Sequence, residues 1–223
     1  DITPYDFVHF SNLSRRPVFR TQTRMRSQTN LVEKICLYND SNRPVSLMKH
    51  NALIESWRDG LPLSNIWIRS LAANPNHTVI KDLSEEYFGY LESRFANDAD
   101  TQNLIDLLPM NIIVSQSGQW NSIDHEWSYL GLPIDVQFVF FRGLYYFLNL
   151  VQEALGQAYK EHPDWTMQHV LIECFSNVGL DLESRLKSFI KDEDAIQEEI
   201  LENNGGQSIQ DILQLRVGIP KAP

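Results

Sequence analysis

Asp106, Asn111 and Asp124 lie in the stretch whose residue types and spacing point most clearly to chemistry. It reads Asp106-Leu107-Leu108-Pro109-Met110-Asn111-Ile112-Ile113-Val114, and then, after a short break, Trp120-Asn121-Ser122-Ile123-Asp124-His125-Glu126-Trp127. The aspartate and the asparagine flank a proline-containing loop, and Asn111 opens a candidate strand, Asn111–Val114. A second candidate strand, Trp120–Ile123, follows the turn sequence Ser115-Gln116-Ser117-Gly118, so the pair predicts a hairpin. A hairpin sets the start of one strand beside the end of the other. Asn111 and Asp124 are therefore expected to face one cleft, with Asp106 just ahead of them. Phosphoryl transfer asks little covalent help of a protein. It needs hard oxygen ligands for magnesium on the phosphates, and a carboxylate that orients the attacking hydroxyl. Asp, Asn and Asp supply those groups. Each also has a plainer reading, Asp106 as the cap of a turn and Asp124 with Glu126 as a solvated loop. Against the second stand Ile123 and Trp127, which imply a half-buried site where unpaired carboxylates are costly.

The elements that must hold these groups differ along the chain. Tyr5–Asn12, Pro17–Arg26 and Leu31–Tyr38 read as three short strands joined by polar turns, an antiparallel meander. Val45–Trp57 has helical spacing, and Ile66–Leu71 and Thr78–Leu83 are strand candidates on either side of Asn74-Pro75-Asn76. Ser84 with Glu85 and Glu86 predicts a helix start carrying Tyr87, Leu91 and Phe95. From Asp135 onward the pattern is helical over Val136–Gly156, Thr166–Asn177 and Leu180–Glu202. Arg142, inside the apolar first of these, is expected to pair with a buried carboxylate near the hairpin, in an anchoring or a catalytic role. The acidic run Lys191–Glu202 reads as a solvated helix face, and His125 as structural.

These residues resemble the protein-kinase-like fold, in particular its bacterial sugar- and small-molecule-kinase branch, whose catalytic loop reads D-x-x-P-x-N with a metal-binding Asp after a short hairpin. The resemblance implies an α+β fold of two lobes, a small β-rich N-lobe over residues 1–83 and a mainly helical C-lobe over 84–202, with 203–223 as tail or linker. It implies Asp106 as catalytic base, Asn111 and Asp124 as magnesium ligands, and Glu126 as a further carboxylate near the metal. Lys34, on the third strand, takes the place of the phosphate-binding lysine, and Glu55, in the following helix, that of its ion-pair partner. Two departures stand out. Leu104 occupies the position where the family usually carries His, and the turn Ser11-Asn12-Leu13-Ser14-Arg15-Arg16 has no glycine, which leaves Arg15 or Arg16 to hold phosphate by charge. A narrower likeness is to kinase-like modules of bacterial surface-polysaccharide (O-antigen or capsule) assembly proteins. It is carried by Phe10-Ser11-Asn12 before an Arg-rich strand, by Asp124-His125-Glu126-Trp127, and by Arg142-Gly143-Leu144. It implies an ATP- and Mg2+-dependent phosphotransferase acting on a sugar or glycan hydroxyl, within a larger polypeptide. The alternative is an inactive, pseudokinase-like module that docks neighbouring methyltransferase or glycosyltransferase domains.

Composition bounds these readings. The 223 residues suffice for one mid-sized domain or two small lobes. A formal net charge of −10 disfavours nonspecific nucleic-acid binding, which needs excess cations against phosphates. Cys36 and Cys174 are far apart in apolar surroundings and read as small core residues of a reducing compartment. The longest apolar run, Val136 to Leu150, is broken by Gln137 and Arg142 and is too short for a membrane span. The chain is expected to be cytoplasmic, at the inner face of the membrane through partners if it is associated with it at all.

Overall fold

The computed structural model describes residues 6–26, 28–38, 47–98, 100–131, 134–202 and 208–217. It is an α+β protein. Strands β1 (Phe7–Phe10), β2 (Thr21–Arg26), β3 (Leu31–Cys36) and β5 (Leu53–Ser56) form one antiparallel sheet in the order β1-β2-β3-β5. The expected second strand is shorter than its sequence suggests, because Pro17–Phe19 forms a 3-10 turn that buries Phe19 before β2 begins. Strand β4 (Met48–His50) pairs with β9 (Trp127–Tyr129), and β6 (Leu61–Pro62), β7 (Ile112–Val114) and β8 (Trp120–Ser122) form a third small sheet.

Three sequence expectations give way here. The segment 47–57 is two strands, not a helix; Val45 and Ser46 lie outside the described residues. Leu47, Ile54 and Trp57, which helical spacing would set roughly on one face, are exposed, whereas Leu53-Ile54-Glu55-Ser56 alternates half-buried and exposed, which is strand periodicity. Glu55 is thus a strand residue, opposite Val32 of β3. The strand candidates Ile66–Leu71 and Thr78–Leu83 lie in helices, α1 (Leu63–Ala73) and α2 (His77–Asn97). Leu63, Trp67 and Leu71 repeat every four residues and are buried, as are Ile80, Ser84, Tyr87 and Leu91 on α2. Ser84 is no cap: it is buried in mid-helix, its hydroxyl donating to the Lys81 carbonyl at 2.7 Å. The cap is Asn76, whose side chain accepts from the Thr78 amide at 3.0 Å. The single helix α2 runs through residues 83 and 84.

The remaining helices are α3 (Val136–Leu150), α4 (Gln152–Ala158), α5 (Met167–Asn177), α6 (Leu186–Ile200) and α7 (Ile209–Leu213). The long helix expected from Val136 to Gly156 is interrupted at Val151, and the one expected from Leu180 begins only at Leu186. Of the tail, residues 203–207 and 218–223 lie outside the described residues. The core is aromatic and lies mainly among the helices. Phe140 of α3 meets Phe88 at 4.9 Å and Phe175 of α5 at 4.8 Å, and Trp67 meets Phe147 edge-on at 4.8 Å. No helix among the described residues is long and apolar enough to cross a membrane.

Candidate active site

Asp106 ends a 3-10 turn (Thr101–Asp106), and Asn111 ends a second one (Pro109–Asn111) that leads directly into β7. Leu104, Ile105, Leu107 and Leu108 are buried around them, so the apolar residues of this loop anchor it while the polar ones face outward. The Asn111 amide nitrogen donates to the Asp106 carboxylate at 2.9 Å and to its carbonyl at 3.0 Å. With its N–H groups turned to Asp106, the amide keeps its oxygen for another partner. Across the hairpin Ile112 pairs with Ser122, and the Ile123 amide donates to the Asn111 carbonyl at 2.9 Å. The hairpin therefore brings Asp124 to Asn111 as the spacing predicted. Asp106, Asn111 and Asp124 line one cavity of about 270 Å³, together with Arg15, Trp127 and the end of α6.

Asp124 has a left-handed backbone, φ +68°. Aspartate tolerates this region better than most residues. Two groups hold it there: its amide donates to the Glu55 carboxylate at 3.3 and 3.4 Å, and its carboxylate is ion-paired with Lys34. The Lys34 ammonium also stands 3.3 Å from Glu126. The resemblance implied Glu55 as the ion-pair partner of Lys34; instead Lys34 pairs with Asp124 and Glu126, and Glu55 grips the backbone of Asp124. Glu126 does not line the cavity with Asn111. It is buried, with Arg15 at 3.9 Å as a further cationic neighbour and His50 Nε2 at 3.5 Å. Burial alone would raise its carboxyl; the nearby His50 ring and the charges of Lys34 and Arg15 outweigh that and hold it below the ordinary value. Burial leaves Glu55 raised despite Lys34. Among the described residues, no three His, Cys, Asp or Glu side chains are grouped so as to hold a metal.

The two arginines read as phosphate contacts part company. Arg15 lies over the Trp127 ring at 5.3 Å and lines the cavity. Arg16 turns away and donates to the carbonyls of Leu201 at 3.1 Å and Glu198 at 2.9 Å, closing the end of α6.

Beneath Asp106 sits Arg142 of α3. Its side chain is buried, donates to the Ile105 carbonyl, pairs with Glu193 at 2.5 Å and stands 3.8 Å from the Asp106 carboxylate. Burial pushes the Asp106 carboxyl up, and Arg142 only partly offsets it. The buried partner of Arg142 is not a carboxylate of the hairpin but Glu193 of α6, which the acidic run Lys191–Glu202 presented as part of a solvated face. Its signal was present: Leu186, Phe189, Ile190, Glu193 and Ile196 are the buried positions of α6, so Glu193 lies on the apolar stripe. His50, bridging Cys36 Sγ at 3.1 Å and Glu126, had no such signal, because its partners come from β3 and from beyond β8.

Compared with family models, curated proteins and solved structures, the chain matches none.

Proposed function

We propose that the chain is an ATP- and Mg2+-dependent phosphotransferase of two-lobed, protein-kinase-like build that acts on a hydroxyl of a sugar or glycan, as a cytoplasmic module of a larger polysaccharide-assembly protein. The observation that carries this reading is the convergence of Asp106, Asn111 and Asp124 on one cavity, with Lys34 paired to Asp124. The donor set suits a magnesium–nucleotide complex better than a resident metal. Magnesium keeps several waters and takes one or two protein oxygens together with substrate phosphates, and the Asn111 amide oxygen and the Asp124 carboxylate are two such oxygens. Bound magnesium–ATP would supply the transferable phosphoryl group and neutralise charge on its oxygens. In this reading Arg15, which lines the cavity, would meet phosphate, with Lys34 behind it on Asp124 and Glu126. Asp106, steadied by Asn111 and Arg142, accepts the proton of the acceptor hydroxyl, and its raised carboxyl favours that role.

The test is transfer of labelled γ-phosphate from ATP to an oligosaccharide. Asp106→Asn should lower turnover by about 10²- to 10⁴-fold, the usual contribution of a general base, while nucleotide binding persists. Equal turnover in this variant would contradict the reading. A second reading, a pseudokinase-like docking module, is favoured by Arg16, which is spent on α6 rather than turned to the cavity. It predicts no transfer and no stabilisation by magnesium–ATP.

A further inference from the structure

A second cavity, of about 390 Å³, shares no lining residue with the first. Its walls come from β5 and the residues after it, from α2, and from β8 with His125. Trp120 and Tyr90 form its aromatic side, half-buried, their rings 5.2 Å apart and inclined at 50°. Arg94 fixes this wall from below. It donates to Asp98 at 3.1 and 2.7 Å, to the Tyr90 hydroxyl at 3.0 Å and to Ser122 at 2.5 Å. Its charge is thereby balanced and four of its five N–H groups are engaged.

The other polar groups that line it are Glu55, whose carboxylate also accepts from the Asp124 amide, Asn121, whose amide nitrogen also donates to the Gln119 carbonyl at 3.2 Å, Arg58 and His125; together they offer donors and acceptors. An anion in this cavity would face Glu55, and a cation would face Arg58. A purely apolar molecule would leave the remaining hydrogen-bonding capacity of these groups unmet. A neutral polyhydroxylated ring meets every demand at once. Its C–H face stacks on the indole, and its adjacent hydroxyls pair with the planar carboxylate, guanidinium and amide groups. We propose that this cavity binds a pyranose unit of a glycan. Glu55 links it to the first cavity, since the same carboxylate holds the Asp124 amide. The proposal goes beyond the phosphotransferase reading and needs no nucleotide for its test.

Saturation-transfer NMR of the whole chain with methyl glycosides of glucose, galactose, mannose and N-acetylglucosamine, at millimolar concentration without nucleotide, tests it. At least one sugar should receive magnetisation mainly on one face of its ring. Arg58→Ala, an exposed position, and Asn121→Ala should each weaken binding roughly tenfold or more at unchanged melting temperature. Asp106→Asn should bind the sugar as the natural chain does. Loss of phosphate transfer with this pattern intact would count against the phosphotransferase reading alone. The sugar site is overturned if no glycoside receives transfer, if Arg58→Ala and Asn121→Ala bind undiminished, if Asp106→Asn abolishes binding, or if inorganic phosphate displaces the sugar.

Discussion

Lys34 and Asp124 are ion-paired between the middle of β3 and the segment that follows β8, so the one ammonium of this strand is bonded to the last member of the Asp106–Asn111–Asp124 group. The pairing is not left to side chains alone. Glu55 of the neighbouring strand holds the Asp124 amide, and the left-handed backbone at Asp124 turns its carboxylate back toward Lys34. Lys34 in turn shares its charge with Glu126 at 3.3 Å.

The Arg142–Glu193 pair should dominate the stability of the site's foundation. Both side chains are buried, and Glu193 also accepts from the Tyr146 hydroxyl at 2.5 Å and the Gln197 amide at 2.8 Å. Glu193→Ala leaves a buried guanidinium without its counter-charge and should cost about 3–5 kcal/mol in denaturant unfolding. The double variant Arg142→Met/Glu193→Ala should cost much less than Arg142→Met and Glu193→Ala combined. Additive losses would mean that the two groups are not coupled.

Asp106 and Glu126 should shape the pH dependence of stability in opposite senses. The Asp106 carboxyl is raised above its ordinary 3.8 by burial, so its contribution is fully present below the unfolded value and is lost as pH rises through the folded one. Glu126 is held below 4.5, the net of burial against His50, Lys34 and Arg15, so its contribution is present above the unfolded value and is lost as pH falls through the folded one. Asp106→Asn should therefore melt above the natural chain at neutral pH and lose that advantage in acid. Glu126→Gln should melt below it at neutral pH and converge with it in acid. Melting curves recorded from about pH 3 to about pH 7 decide, and a pH-independent offset for either variant would contradict the assignment.

Gly143 of α3 is required by the approach of Tyr87. A Cβ at this position would meet the tyrosine hydroxyl oxygen at 2.1 Å, and that hydroxyl donates to the Leu107 carbonyl at 2.6 Å, next to Asp106. Gly143→Ala should destabilise by about 1–3 kcal/mol through overpacking. It should also displace the Asp106 loop, and adding Tyr87→Phe, which removes the nearest clashing atom, should recover part of the loss. Unchanged stability of Gly143→Ala would show that the helix and the tyrosine shift apart freely.

Arg16 and its neighbours tie the segment between β1 and β2 to the end of α6. The Arg16 amide donates to the Ile200 carbonyl and the Glu202 amide to the Ser14 carbonyl, both at 2.8 Å, while Arg20 pairs with Glu202 at 3.1 Å. Arg16→Ala removes two further bonds and should cost about 1 kcal/mol, in line with exposed hydrogen bonds. Hydrogen exchange should rise at the amides of Arg16 and Glu202 before it rises in α3. Exchange that stays as slow there as in the natural chain would show that the clasp does not depend on Arg16.

The hairpin and the convergence of Asp106, Asn111 and Asp124 were legible because they depend on local turn chemistry and short spacing. Strands β1 to β3 were legible from β-branched and aromatic runs between polar turns, with alternation along the second. What failed was the region 47–83. There the apolar residues fit two periods, and burial by elements distant in sequence decided between them: β3 selects a strand for Leu53–Ser56, and the aromatic core selects helices around Trp67 and Tyr87. The partners of Lys34 were only half legible. Glu55 and Glu126 both reach the neighbourhood of Asp124, but which of them lies beside the ammonium depends on His50 and Arg15, which arrive from other elements.

Calorimetric titration of the chain with magnesium–ATP, repeated on Asp124→Ala and Asp106→Asn, tests the phosphotransferase reading most directly. The natural chain should bind, Asp106→Asn should bind comparably, and Asp124→Ala should lose most of the magnesium-dependent affinity; at a hundredfold excess over Kd, binding should stabilise the fold by about 2.7 kcal/mol. Absence of binding by the natural chain, or equal magnesium-dependent affinity in Asp124→Ala, would contradict it.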